Sequence, residues 1–130
     1  MTITPLYAGL LAIWFFILST RVIKKRTGPS GVNLGDGGDP VLLRRIRGHA
    51  NFAEYVPFIL VMMAMLEVGG TAAWILHALG ATLLLARLLH GVALSYSEKF
   101  FTGRFYGTLF TFVVMVAAAV LCIVQGVKGL

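Results

Sequence analysis

The stretch RGHANFAEYVPFILVMMAML, residues 47–66, decides how this chain is built. From Val56 onward it is apolar, whereas its first nine residues include Arg47, His49, Asn51, Glu54 and Tyr55. At ~100° per residue, a helix here sets Arg47, Asn51, Glu54 and Tyr55 within about a 100° sector. Four hydrogen-bonding side chains thus share one face at the mouth of a hydrophobic run. A bilayer core ~30 Å thick needs about 20 helical residues, and ionisable groups at its edge are read first as a functional site.

Working outward, the 130 residues are 58% hydrophobic and only 12% charged, with mean hydropathy +0.89. Soluble domains carry roughly 25% charged residues. Lipid is therefore the expected solvent, and residues 1–130 read as a single transmembrane domain. The net charge of +6 is unevenly placed: Arg21, Lys24, Lys25, Arg26, Arg44, Arg45 and Arg47 flank one loop. Such a patch suits nucleic acid, anionic headgroups or an acidic substrate. Because these charges abut hydrophobic spans, no nucleic-acid partner is expected. Cys122 is the single cysteine, and His49, His77 and His90 sit on different segments without ligand spacing, so no intrachain disulfide or metal site is expected. No basic residue precedes the first apolar run, which suits a retained helix rather than a cleaved signal.

The apolar runs predict an all-α, integral membrane four-helix bundle with spans over about 2–23, 44–67, 72–94 and 104–127. Thr27 to Pro40 is dense in glycine and proline and reads as a loop. Within it Gly35-Asp36-Gly37-Gly38-Asp39 lacks the Lys-Ser/Thr ending or alternating acids of a phosphate or calcium loop, so it reads as a turn. Pro57 predicts a kink in the second helix. Val68 to Thr71 reads as a tight turn and Ser95 to Gly103 as a short polar loop. Lys24, Lys25, Arg26, Arg44, Arg45, Arg47, Lys99 and Arg104 fall at one face against Lys128 at the other. The positive-inside rule then puts the first and third loops in the cytoplasm and both termini on the non-cytoplasmic side.

This topology brings Arg87 and His90 of helix three to the depth of Arg47, Asn51 and Glu54, with Arg21 and Arg26 closing helix one and Arg104 and Tyr106 opening helix four. Guanidinium groups pair bidentately with carboxylates. Beside a thiol they favour the thiolate, and each pKa unit below ~8.5 corresponds to about 1.4 kcal/mol. Plainer readings stand alongside. Arg47 and Glu54 can neutralise each other or pair across helices, although an i, i+7 bridge is stretched. Arg87 can be structural, and His90 a capped or snorkelling side chain. Tyr7, Trp14, Trp74 and Tyr106 read as interfacial or packing aromatics. Gly107, Thr111 and Ala117 to Ala119 suit close helix packing.

The pattern Arg47-x-x-x-Asn51-x-x-Glu54-Tyr55-x-Pro57, opening the second of four helices, resembles the MAPEG family, the membrane-associated proteins in eicosanoid and glutathione metabolism. Ala86-Arg87-Leu88 is similar to that family's second signature, and the Gly35 to Gly38 loop resembles its small bacterial branch. The resemblance implies a homotrimer in a bacterial inner membrane, binding glutathione as co-substrate between subunits near the cytoplasmic face. Arg47, Asn51, Glu54 and Tyr55 would contact glutathione, with Arg26 from helix one and Arg87 and His90 from helix three as further binding candidates. Arg104 would be the catalytic group that activates the thiol. The implied activity is a glutathione transferase or peroxidase acting on a hydrophobic small molecule that arrives from membrane lipids. The alternative is a non-catalytic lipid-binding or scaffold protein of the same fold. A small exporter would need a mid-membrane acid in helix one, which is absent here. Two departures from the family pattern bear on the electrophile pocket and the glutathione pose. His90 and Leu94 replace paired tyrosines, and Leu43 replaces an acid.

Overall fold

A computed structural model describes every residue except Ser30, which lies in the expected Thr27 to Pro40 loop. The described chain is helical: α1 (Ile3–Arg26), α2 (Pro40–Val68), α3 (Ala73–Gly91) prolonged by a π-helical turn (Val92–Tyr96), and α4 (Phe101–Gly129). Four helices are long and apolar enough to cross a membrane, α3 counting with its extension as Ala73–Tyr96. Each expected span overlaps one of them.

Helix ends leave backbone groups without intrahelical partners, and distant side chains satisfy them here. At the start of α1, Glu67 Oε1 accepts from the N–H groups of Thr2 (2.6 Å) and Ile3 (2.7 Å), and Oε2 from that of Thr4 (2.7 Å). A carboxylate from the last turn of α2 thus caps another helix.

The glycine-rich run is a turn that leads into a cap. Asp36 Oδ1 accepts from the Gly38 N–H at 2.9 Å, and Gly37 and Gly38 hold φ of 58° and 76°, the left-handed region that favours glycine. Asp39 then caps α2, accepting from the Val41 (2.9 Å) and Leu42 (3.4 Å) N–H groups, with Pro40 at the first helical position. Lys25 Nζ lies 3.3 Å from Asp39 Oδ2 and ties the end of α1 to the start of α2.

Partial burial works against the Asp39 charge, but the Leu42 and Val41 N–H groups and the Lys25 ammonium outweigh it and hold its carboxyl below the usual value. A carboxyl lowered by folding contributes stability that is complete above the unfolded pKa, about 3.9, and is lost as pH falls through the folded value. Asp39→Asn keeps the capping oxygen without the titration. The melting midpoint of the wild type should therefore fall relative to Asp39→Asn as pH drops below about 4. Parallel curves for the two proteins would contradict this.

The Ser95 to Gly103 loop expected from sequence is corrected to Ser97 to Phe100. Arginines from two other helices hold the chain helical for longer. Arg44 donates through Nη2 to the carbonyls of Ala93 (2.7 Å) and Ser97, and through Nη1 to that of Glu98 (2.9 Å). Arg21 donates to Ser95 Oγ (2.8 Å) and Ser95 O (2.7 Å), with its Cζ 3.4 Å above the Tyr96 ring. These bonds also set topology: the end of α1, the start of α2, the end of α3 and the start of α4 share one end of the bundle. Most basic side chains cluster there, while both termini and Lys128 lie at the other end.

The core runs between the helices through Leu11, Leu18, Ile59, Met63, Leu83 and Val114. Outward faces stay apolar, with Phe16, Phe58, Leu85 and Val116 exposed, as suits lipid-facing helices.

Candidate functional site

Beneath the basic end lies a buried polar cluster centred on Arg87, which is 1% exposed. Arg87 Nη1 donates to Asn51 Oδ1 (2.8 Å) and weakly to Thr111 Oγ1 (3.5 Å), and Nη2 donates to His90 Nδ1 (3.2 Å). Such a bond needs a neutral His90 ring with its proton on Nε2. Trp14 Nε1 donates to the Arg87 carbonyl at 3.0 Å, and the Phe52 ring centre lies 5.6 Å from the guanidinium carbon. Side chains from all four helices therefore converge on one arginine. Its bonded partners are neutral, and Nε has no partner among the described residues. Buried charges are ordinarily paired, whereas this guanidinium depends on neutral dipoles and the Phe52 ring, with no carboxylate among its bonded partners.

His90 does not snorkel: it is 2% exposed, one turn from Arg87 and covered by α4 at Gly107. Asn51 is half-buried and gives its oxygen to Arg87 rather than to the surface.

The other motif side chains of α2 point away from the core. Arg47 and Glu54 are both exposed, and neither has an ion pair or hydrogen bond among the described residues. Mutual neutralisation, open on the sequence, does not occur within this chain. Tyr55 is half-buried, its ring edge-on to Phe112 of α4 at 5.3 Å. Phe112 also walls a groove of about 500 Å³ with Phe101, Arg104, Phe105, Thr108 and Leu109. Arg104 is exposed and also borders a smaller pocket of about 70 Å³ beside Arg44, Leu94 and Phe100. Phe112 thus touches Tyr55 and also lines the groove that Arg104 borders.

Arg26 joins neither set. Its Nη1 donates to the carbonyls of Gly35 (2.8 Å) and Val32 (3.4 Å), bracing the first loop. Thr111, a packing residue on the sequence, and Trp14, an interfacial or packing aromatic, are both hydrogen-bonded to Arg87. An indole N–H inside an apolar helix was the available signal, since a buried indole N–H usually has a partner. No group of three or more His, Cys, Asp or Glu that could hold a metal ion occurs among the described residues.

The model of the MAPEG family matches residues 4–124. The chain belongs to that family. It is similar to inner membrane protein YecN of Escherichia coli (strain K12), 38% identical over 88 residues that cover 68% of this chain and 66% of that protein. YecN of Escherichia coli O6:H1 (strain CFT073) gives the same identity and coverage. The match spans just under two thirds of the length of these curated relatives. No solved structure matches. In this MAPEG protein the α2 motif is divided: Asn51 turns to the core and binds Arg87, while Arg47 and Glu54 face outward.

Proposed function

We propose that this MAPEG protein is a multi-pass inner-membrane homotrimer that binds glutathione and uses its thiolate against lipophilic electrophiles, as a transferase or peroxidase. The observation that carries the reading is the state of Arg47 and Glu54: opposite charges about two turns apart on α2, exposed and unpaired. The fold engages Asp39, Glu67 and Asn51 elsewhere, but it leaves these two free. Glutathione carries two carboxylates and an ammonium, the complementary charges. In the trimer, a neighbouring copy against this outward face would close the site.

Arg104 stands beside the apolar groove of about 500 Å³, where a hydrophobic electrophile arriving from lipid meets a guanidinium. The thiol loses its proton to solvent, and Arg104 stabilises the resulting sulfur anion. Sulfur then attacks the electrophilic carbon while the leaving group departs with its bonding electrons. Under the positive-inside rule the basic end is cytoplasmic and both termini lie outside.

A second reading, a non-catalytic lipid-binding or scaffold protein, draws on His90 being packed against Arg87 and on Leu94 standing where enzymatic relatives carry tyrosine. Titrating the purified protein with glutathione separates the two. Saturable binding with thiolate absorbance, followed by conjugation of an aryl halide, is the expected result. Glu54→Ala and Arg47→Ala should each weaken binding about 10- to 100-fold, since hydrogen bonds to charged groups contribute roughly 1.5–3 kcal/mol. Binding without thiolate absorbance would favour the second reading, and no saturable binding would sink the first.

A further inference from the structure

At the end of the bundle opposite the basic cluster, two open grooves between α3 and α4 share the walls Ile75 and Leu121. The outer one, about 540 Å³, is bordered by Thr71, Gln125 and Lys128 as well as the backbone of Gly69 and Gly70. The inner one, about 340 Å³, is lined almost wholly by apolar side chains, among them Trp74, Ala78, Leu79, Val114 and Ala117. Together they form one trough with a polar, cationic mouth and an apolar floor. From Ala72 to Thr82 the trough follows α3 and its cap for about 15 Å at 1.5 Å per residue. One leaflet of a ~30 Å hydrocarbon core is about 15 Å deep, so the trough has the length and the polarity gradient of a single lipid molecule.

Charge selects among lipids. No Asp or Glu lines either groove. Glu67, the acidic side chain at this end, is already engaged by three backbone N–H groups of α1. Gln125 is also occupied, donating to the Met65 carbonyl at 3.2 Å. Lys128 remains as a cation at the mouth, with no partner among the described residues. We propose that the α3–α4 trough is a binding site for one anionic phospholipid, its phosphate at Lys128 and an acyl chain along Ala78 and Ala117. The site lies at the opposite end from Arg47, Glu54 and Arg104 and does not depend on the glutathione reading.

The test is native mass spectrometry of the detergent-purified full chain with phosphatidylglycerol or phosphatidylcholine at equal concentration. Phosphatidylglycerol adducts should exceed phosphatidylcholine adducts about fivefold, the ratio for ~1 kcal/mol per lysine near a membrane surface. Lys128→Gln should bring the two lipids to parity. Ala78 is exposed on the trough wall, so Ala78→Trp should fill the floor and remove both adducts without disturbing the core. Glutathione titration of both variants should match the wild type, which keeps a failure here distinct from a failure at the other end. Equal retention of the two lipids by the wild type would overturn the assignment. So would undiminished selectivity in Lys128→Gln, or the absence of any adduct because a second copy covers the trough.

Discussion

Gly107→Ala is expected to lower the melting midpoint by several degrees, although alanine is the better helix former by about 1 kcal/mol. A Cβ on Gly107 would lie 2.7 Å from His90 Cβ, 2.8 Å from the Ala86 carbonyl oxygen and 2.9 Å from the His90 backbone nitrogen. Two of these atoms belong to the α3 backbone, so no rotamer change relieves the contact. The helices themselves must part. Overpacking of this kind costs about 1–3 kcal/mol. The effect also reaches the polar cluster, because Thr111 Oγ1 donates to the Gly107 carbonyl at 2.7 Å and accepts from Arg87 on its other side. Moving α4 away from α3 therefore loosens the bonds around a buried guanidinium that has no carboxylate to fall back on. Gly126→Ala is the control: nothing lies within 4 Å of a Cβ there, so its midpoint should hold or rise. Equal midpoints for Gly107→Ala and the wild type would mean that α3 and α4 do not meet as closely as this packing requires.

The four spans were legible because lipid imposes a crude rule, about 20 apolar residues per crossing, that local sequence reports directly. The helix ends were less legible because their partners are remote in sequence. Ser95 looks like the start of a loop until Arg21, 74 residues earlier, donates to its hydroxyl and carbonyl and holds it in the helical extension of α3. Glu67 reads as the polar end of a helix, and nothing nearby announces that it caps α1.

The candidate site split along the same line. The helical sector of Arg47, Asn51, Glu54 and Tyr55 follows from a fixed angle per residue and needs no tertiary knowledge. That Asn51 turns inward while Arg47 and Glu54 turn out depends on the position of Arg87, which only helix packing sets. His90 shows this most plainly. Its rank near the end of an apolar helix suggests reach to the surface, but the absence of a side chain on Gly107 lets α4 seal it in.

Arg104→Leu is expected to raise the pKa of bound glutathione's thiol by about one unit or more, each unit being about 1.4 kcal/mol of lost preference for the anion. Thiolate absorbance should then appear at correspondingly higher pH, and turnover of an aryl halide near neutrality should fall about tenfold, while glutathione affinity changes less. Arg104 is the arginine that is both exposed and bordered by the aromatic groove, whereas Arg87 is sealed inside with its nitrogens turned to Asn51, Thr111 and His90. Arg104→Lys retains a charge but loses the planar fork, so its pH profile should fall between the wild type and the leucine variant. Leucine also keeps the groove apolar, which separates loss of charge from loss of the electrophile's binding surface: KM for the aryl halide should stay near the wild-type value while kcat falls. An unchanged pH profile in Arg104→Leu, with turnover intact, would move the activating charge to another residue. A profile that shifts with kcat while KM holds would tie the sulfur anion to the first turn of α4.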